Sequence, residues 1–487
     1  MQEDKKNITD CKQQDVDAAK NENTTSGKLT LEQELEAIEG STWQSKVLVV
    51  IIFLCRLVIA VTFIFSGFVK AIDPIGTQYK IEDYLTAVHL QGLIPNWVTL
   101  STSVILAGIE FCIGILFLFA IRRRLMSKIA LFFMIIMTAI TIWLAAANPV
   151  KDCGCFGDAI QLTNEQTLLK NIILLACTII VARWPLKMIR FISKSNQWIV
   201  INYTIFFIFI TSIYCLYFLP EFDFRPYHVG ADIRKGMTIP PDAKQPKFET
   251  TFIMEKNGQR KEFTLDNYPD STWKFIDSKT VQTEKGFEPE IHDFSIQDKK
   301  TGEDITQKVI GRKGYTFLLI APHLEQADDS NFGDIDQIYE YAEDNKIPFL
   351  CLTASNEEGM KHWQDITGAE YPFYITDETT LKTIVRSNPG LILLKNGVII
   401  GKWSHNDLPT EEELSTPLNK AKIGQIQKDN IPRKILVIIL WFVLPLVLLT
   451  IADRLWAWSR WIKEKENSNK IYQLLKQKRN EKENCSR

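Results

Sequence analysis

Six apolar runs of about 18–24 residues, each long enough to cross a bilayer, constrain this chain more than any other feature. They cover Val47–Val69, Trp97–Ile121, Leu125–Ala147, Leu168–Ala182, Trp198–Leu219 and Ile435–Ala452. Between the fifth and the sixth lies a polar block of about two hundred residues. A chain of 487 residues arranged this way is expected to be a helical membrane bundle carrying one soluble domain. The first run begins too far from the start for an ordinary cleaved signal peptide, so it is expected to stay as a span. A formal charge of −2 and a pI near 6.4 give no electrostatic case for binding nucleic acid.

The basic residues orient the spans. Arg122, Arg123, Arg124 and Lys128 follow the second run, and Arg183, Lys187, Arg190 and Lys194 follow the fourth. Beyond the sixth stand Arg454, Arg460, Lys463 and Lys465, among the interface-type residues Trp456, Trp458 and Trp461. The positive-inside bias puts these segments and both termini in the cytoplasm. The Lys70–Asn96 loop, the loop Lys151–Asp158 and the polar block are then expected outside.

That second loop reads KDCGCFGD and sets Cys153 and Cys155 one residue apart. Glycine between and near them permits a tight turn. A disulfide across one residue closes a small ring and is expected to be strained and readily reduced, which points to thiol–disulfide chemistry. Two thiolates could also hold copper or zinc, but a closed site needs further ligands that the loop does not supply, so no metal is expected. A purely structural turn is the competing expectation. Within the spans, Arg56 and Glu110 lie about 15 Å and 18 Å from the cytoplasmic ends of antiparallel helices, at 1.5 Å per residue. They are expected to pair, since an unpaired charge at that depth costs roughly 2.5–3.5 kcal/mol or more.

From Arg56 to Trp184 the chain resembles the DoxX/MauE group of redox-associated membrane proteins. The residues that carry the likeness are Arg56, Gly67, Lys70, Asp73 and Pro74 in RLVIAVTFIFSGFVKAIDP, Glu110 and Gly114 in the second span, and Gly154, Phe156 and Gly157 beside the two cysteines. The resemblance implies a four-helix bundle over 46–184 in a bacterial inner membrane. Members of the group are associated with electron transfer and with maturation of disulfide-containing extracytoplasmic proteins, including a subunit of methylamine dehydrogenase. Enzymes that pass electrons from thiols to a membrane quinone generally use two outward cysteine pairs; this chain has one pair. A quinone is the one cofactor left open, with the Arg56–Glu110 region as its candidate place.

The polar block divides. A linker with a small β segment is expected over 220–285, with two strands around Asn257-Gly258. Residues 286–410 alternate strand and helix patterns and resemble the TlpA and peroxiredoxin branch of thioredoxin-like proteins, opening with a hairpin in EPEIHDFSIQDKKTGEDIT. The resemblance implies a cis bond before Pro389. Where redox-active relatives carry CxxC, this chain has Leu324 and Ala327, so the domain is expected to bind partners rather than exchange thiols. Cys351, inside an apolar strand, is expected to be an inert core residue, and His323 to have no special role. A mobile tail (1–45), a fifth helix (198–219), a polar tether (411–432), a sixth helix (433–453) and a basic tail (454–487) complete the division. Held at both ends, the domain would stay close to the membrane.

Three functions fit this reading: a membrane thiol-redox factor acting on an extracytoplasmic client or redox partner, a non-enzymatic scaffold, and a subunit of a quinol-linked electron-transfer complex.

Overall fold

The structure, a computed structural model, describes residues 43–90, 92–150, 152–240, 242–243, 247–256, 259–264, 274–284, 287, 289–426 and 430–485. The expected mobile tail lies almost wholly outside the described residues, as do Asn257 and Gly258. The chain divides into two compact units: Met1–Ser212 with Pro432–Arg487, and Ile213–Ile431.

The first unit is helical. Its helices are α1 (Trp43–Ile72), α2 (Pro74–Ala87), α3 (Asn96–Leu118), α4 (Arg123–Ala147) and α5 (Asn164–Arg183), followed by α6 (Gln197–Tyr217), which crosses the unit boundary. A last helix runs Ile431–Ile438 and Leu444–Cys485 around a π-turn at Ile439–Val443. Six of these helices, all but α2, are long and apolar enough to cross a membrane. The bare loop expected after the first span instead contains α2. Asp73 caps it by accepting from the Gly76 amide at 2.8 Å, with Pro74 at the first helical position. α5 starts four residues before the expected Leu168 because Thr163 and Gln166 form a reciprocal capping box. The basic tail after the sixth span is part of one continuous helix to Cys485.

α1 and α3 cross with almost no space between their backbones. A Cβ on Gly67 would stand 2.3 Å from the Phe111 amide nitrogen, and one on Gly114 would stand 2.6 Å from the Ile64 nitrogen. The two glycines, one from each helix, let the backbones touch, as small residues do at helix crossings in lipid. This crossing fixes the α1/α3 register and hence which charges meet.

In the second unit, β1 (Lys247–Lys256), β2 (Gln259–Thr264) and β3 (Lys274–Glu284) form a small antiparallel sheet in the order β2-β1-β3. The third strand was not expected from the sequence. The larger sheet contains β4 (Gln297–Asp298), β5 (Tyr315–Ala321), β6 (Phe349–Thr353), β7 (Phe373–Ile375), β8 (Gly390–Lys395) and β9 (Val398–Ser404), in the order β4-β7-β6-β5-β8-β9. β5 and β6 are buried on both faces, which explains their unbroken apolar sequence. α7 (Phe332–Asp344) and α8 (Glu357–Thr367) cover one face, with Ile338 and Trp363 packed against Leu319 and Cys351. α9 (Glu378–Ile384) covers the other, with Ile384 beside Leu318 and Leu352. The domain is therefore a mixed α/β sheet, and the Asn388–Pro389 bond is cis.

Two expectations are corrected here. The opening hairpin is only a two-residue strand, bridged at Gln297–Asp304, because Asp298 turns the chain by accepting from the amides of Lys300 and Thr301. The polar tether is not loose. Leu414, Leu418, Ala421 and Ile423 are buried in the core around Trp363.

The glycine crossing gives a direct test. Gly67→Ala or Gly114→Ala should lower thermal stability in detergent by about 1–3 kcal/mol, the usual cost of overpacking. Gly108→Ala, whose Cβ would meet its nearest neighbour at 3.8 Å, should be tolerated. Equal effects at all three positions would contradict the close crossing.

Candidate functional site

The register set by Gly67 and Gly114 places Lys70, not Arg56, beside Glu110. The Lys70 ammonium lies 2.6 Å from Glu110 Oε2 and 2.7 Å from Oε1, and both side chains are only 7% exposed. The expected Arg56–Glu110 pair is therefore wrong. Arg56 stands fourteen residues before Lys70, about 21 Å along the helix, beside the opposite end of α3. There its guanidinium donates to the carbonyls of Phe117 (2.8 Å), Leu118 and, from a following loop, Ile189 (2.8 Å). It also lies 4.6 Å from the Phe191 ring centroid. Carbonyls at a helix C-terminus lack intrahelical donors and carry partial negative charge, so this arginine is satisfied without a carboxylate. The depth estimate failed because it took both helices to end at one plane, whereas α1 begins at Trp43 and α3 ends at Leu118.

The Lys70–Glu110 pair supports the cysteine loop. Ser66, one turn before Lys70, lies 2.7 Å from Glu110 Oε2 and 2.7 Å from the Cys155 carbonyl, and accepts from Lys70 at 3.1 Å. The Tyr84 hydroxyl on α2 donates to the Cys153 carbonyl. Lys80, also on α2, pairs with Asp152 at 2.9 Å. Asn164 at the start of α5 donates to Asn148 and to the Val150 carbonyl. The loop backbone is thus held from α1, α2 and α5. Gly154 takes a left-handed φ of +61° with the Lys80 chain against it, and Gly157 likewise turns at +53°. Phe156 packs edge-on to Phe65 and beneath the Lys170 ammonium, 4.4 Å from its ring centroid.

Held this way, the two sulfurs stand 2.8 Å apart as free thiols. A disulfide is about 2.05 Å long, so closing the bond asks for a shift of less than about 1 Å. The Cys153 thiol, hydrogen-bonded to Cys155, stabilises a Cys155 thiolate. Against the opposing effect of burial, this bond, aided by Lys170 and Lys70, lowers the Cys155 pKa to about 6. The same hydrogen bond, together with burial, pushes the Cys153 thiol up.

Behind the thiols lies a cavity of about 210 Å³. Cys153, Cys155, Lys70, Glu110, Tyr84 and Lys170 line its loop side, and Phe63, Phe133, Met134 and Leu174 its deeper wall. Among the described residues Lys170 has no carboxylate partner. Asn171, next to it, bonds Thr141 at 3.2 Å. Ser66, Tyr84, Lys80, Lys170 and Asn171 were not singled out from the sequence. Lys170 and Asn171 were legible in principle, as adjacent polar residues inside an apolar span.

In the α/β domain, Leu324 is buried and Ala327 stands beyond it in a short turn that brings no sulfur to the position. Cys351 is fully buried in β6, where desolvation raises its pKa. His323 contacts Glu378 at 2.9 Å and Glu325 at 3.4 Å on a partly exposed surface. No group of three or more His, Cys, Asp or Glu side chains that could hold a metal occurs among the described residues.

Residues 48–184 match the family described as Methylamine utilisation protein MauE, and residues 248–285 match a Domain of unknown function, DUF8463. No curated protein and no solved structure matches the chain. With its six apolar helices, the chain is a multi-pass membrane protein whose first four spans form a MauE-like bundle.

Two measurements test the site. Alkylation of Cys155 should rise between roughly pH 5 and pH 7, because the thiolate forms above a pKa of about 6, and Lys170→Met should move that rise upward. Onset only in the ordinary thiol range, about 8.5, would contradict the assigned electrostatics. Glu110→Ala strands Lys70 and should cost about 3–5 kcal/mol, seen as lost abundance in membranes. Adding Lys70→Met should recover most of it, whereas substitution of Arg56 should not.

Proposed function

We propose that the chain is a membrane thiol–disulfide exchange factor whose reactive pair is Cys153 and Cys155. The observation that carries this is the approach of two free thiols to 2.8 Å in a loop held from three helices, beside cations that favour one thiolate. In its oxidised form the pair would accept electrons from a client. A client thiolate attacks one sulfur of the Cys153–Cys155 disulfide, and the second client thiol then displaces the mixed disulfide. The client leaves oxidised and the pair is left as two thiols, so electrons and protons balance. Cys155 is the sulfur suited to leave as thiolate.

The extracytoplasmic side for this loop follows from the positive-inside bias, with the membrane taken as a bacterial inner membrane and both termini in the cytoplasm. The α/β domain is assigned a thioredoxin-like fold on its strand and helix order and its cis-proline loop, and a client-binding role because it lacks cysteines at the active turn. A scaffold role is the second reading, favoured by the MauE likeness, whose description names methylamine utilisation and no reaction.

Replacing either cysteine by serine should abolish exchange without unfolding the bundle, since neither side chain supports the helix packing. In the Cys155→Ser variant the remaining Cys153 thiolate, attacking the disulfide of an oxidised client in the reverse of the exchange, has no neighbour to release it and should accumulate a reductant-sensitive mixed disulfide; the double variant should accumulate none. Full function in both single variants would leave only the scaffold.

A further inference from the structure

A dithiol that is reoxidised after each client needs an acceptor of two electrons and two protons, and the cavity behind Cys155 has the chemistry to hold one. We propose, building on the exchange function above, that this cavity binds the head group of a lipid-soluble quinone, which takes the electrons of the Cys153–Cys155 dithiol.

Three observations carry the assignment. The deeper wall is apolar and offers aromatic and sulfur contacts from Phe63, Phe133 and Met134, the kind of surface a flat ring packs on. The polar groups gather on the loop side, next to the thiols. There Lys170 is a cation without a carboxylate partner among the described residues, and Asn171 adds an amide. Finally, the lining reaches the outside of the bundle between α3 and α4, at Thr102 and Ile140, and Ile140 is 39% exposed. Both helices are apolar spans, so a ligand entering between these two residues would come from lipid.

Size narrows the occupant. Pockets for whole drug-sized ligands hold roughly 300–1,000 Å³, whereas this one holds about 210 Å³. A single substituted ring fits, and a long tail must leave through the gap between α3 and α4 into the bilayer. A water-soluble oxidant would need no such opening and no apolar wall.

The reaction balances without any other reagent. Two S–H bonds are lost and one S–S bond forms between Cys153 and Cys155. The two electrons and two protons convert the quinone to its hydroquinone, which leaves by the route it entered. Lys170 is placed to donate a hydrogen bond to a ring oxygen and to offset the negative charge that develops there. One cysteine pair then suffices where two would otherwise be needed, because the acceptor reaches the same thiols that the client does.

The test uses the full chain in detergent, reduced, freed of reductant and kept anaerobic. Decylubiquinone is the lipid-phase probe and glutathione disulfide the thiol-exchange probe. Wild type should oxidise one Cys153–Cys155 pair per quinone reduced, followed together by alkylation mass and by quinone absorbance. Lys170→Met should slow this at least tenfold. Met134→Trp, which fills the deep wall, should do the same, and decylubiquinone should raise the thermal midpoint of wild type but not of Met134→Trp. A pair that exchanges with glutathione disulfide but leaves the quinone unreduced would overturn the quinone site and leave the proposed function standing. A pair inert to both would overturn the proposed function itself. Quinone reduction at wild-type rate in a folded Met134→Trp protein would put the acceptor elsewhere and overturn the cavity assignment.

Discussion

The buried Lys70–Glu110 ion pair is the interaction on which the site depends. Taking both charges out of water is expensive, and a buried pair is tolerated only where geometry is good and further hydrogen bonds satisfy it. Here the ammonium reaches both carboxylate oxygens, and Ser66 links the pair to the Cys155 carbonyl. The pair can form only because Gly67 and Gly114 bring the α1 and α3 backbones into contact at that register. Helix crossing, ion pair and cysteine loop are thus successive consequences of one close approach.

The ion pair also sets the electrostatics of the thiols. Lys70 and Lys170 both favour a Cys155 thiolate, while Glu110 opposes it. Lys70 offsets that repulsion, while the carboxylate, through Ser66, helps to hold the loop. Midway along α1, at the opposite end of α3, Arg56 gathers the end of α3 and the loop before α6 through carbonyls. Asp453 does similar work there, accepting from Ser193 and Asn196 and so tying the last helix to that loop. One end of the bundle is therefore held by charges on backbone groups, and the other carries the chemistry.

Much of the architecture was legible because lipid leaves few options. An apolar run of span length must be a helix, and all six runs are. Capping chemistry would have recovered more: Asp73-Pro74 marks the start of α2, and Thr163 with Gln166 marks that of α5. Which charges pair was not legible from depth, because a helix register set by two glycines is a property of packing, not of hydropathy. Arg56 shows the same limit, since a side chain that binds carbonyls leaves no partner residue type to find. In the second unit the alternation of strands and helices was readable, but Leu414, Leu418 and Ile423 looked like part of a polar tether until their burial against the sheet was seen. The site's two cysteines were visible at once, whereas Lys170, Tyr84 and Ser66 are recruited from three helices and share no sequence motif.

The most direct test of the account is the reduction potential of the Cys153–Cys155 pair, measured by equilibrating the full chain with glutathione buffers and trapping the thiols by alkylation. A stabilised Cys155 thiolate favours the reduced form, so the potential should lie at the oxidising end of the thioredoxin-like range, roughly −120 to −200 mV. A pair that is oxidised and resists reduction below about −300 mV, as structural disulfides do, or one that never oxidises at all, would contradict a role in exchange.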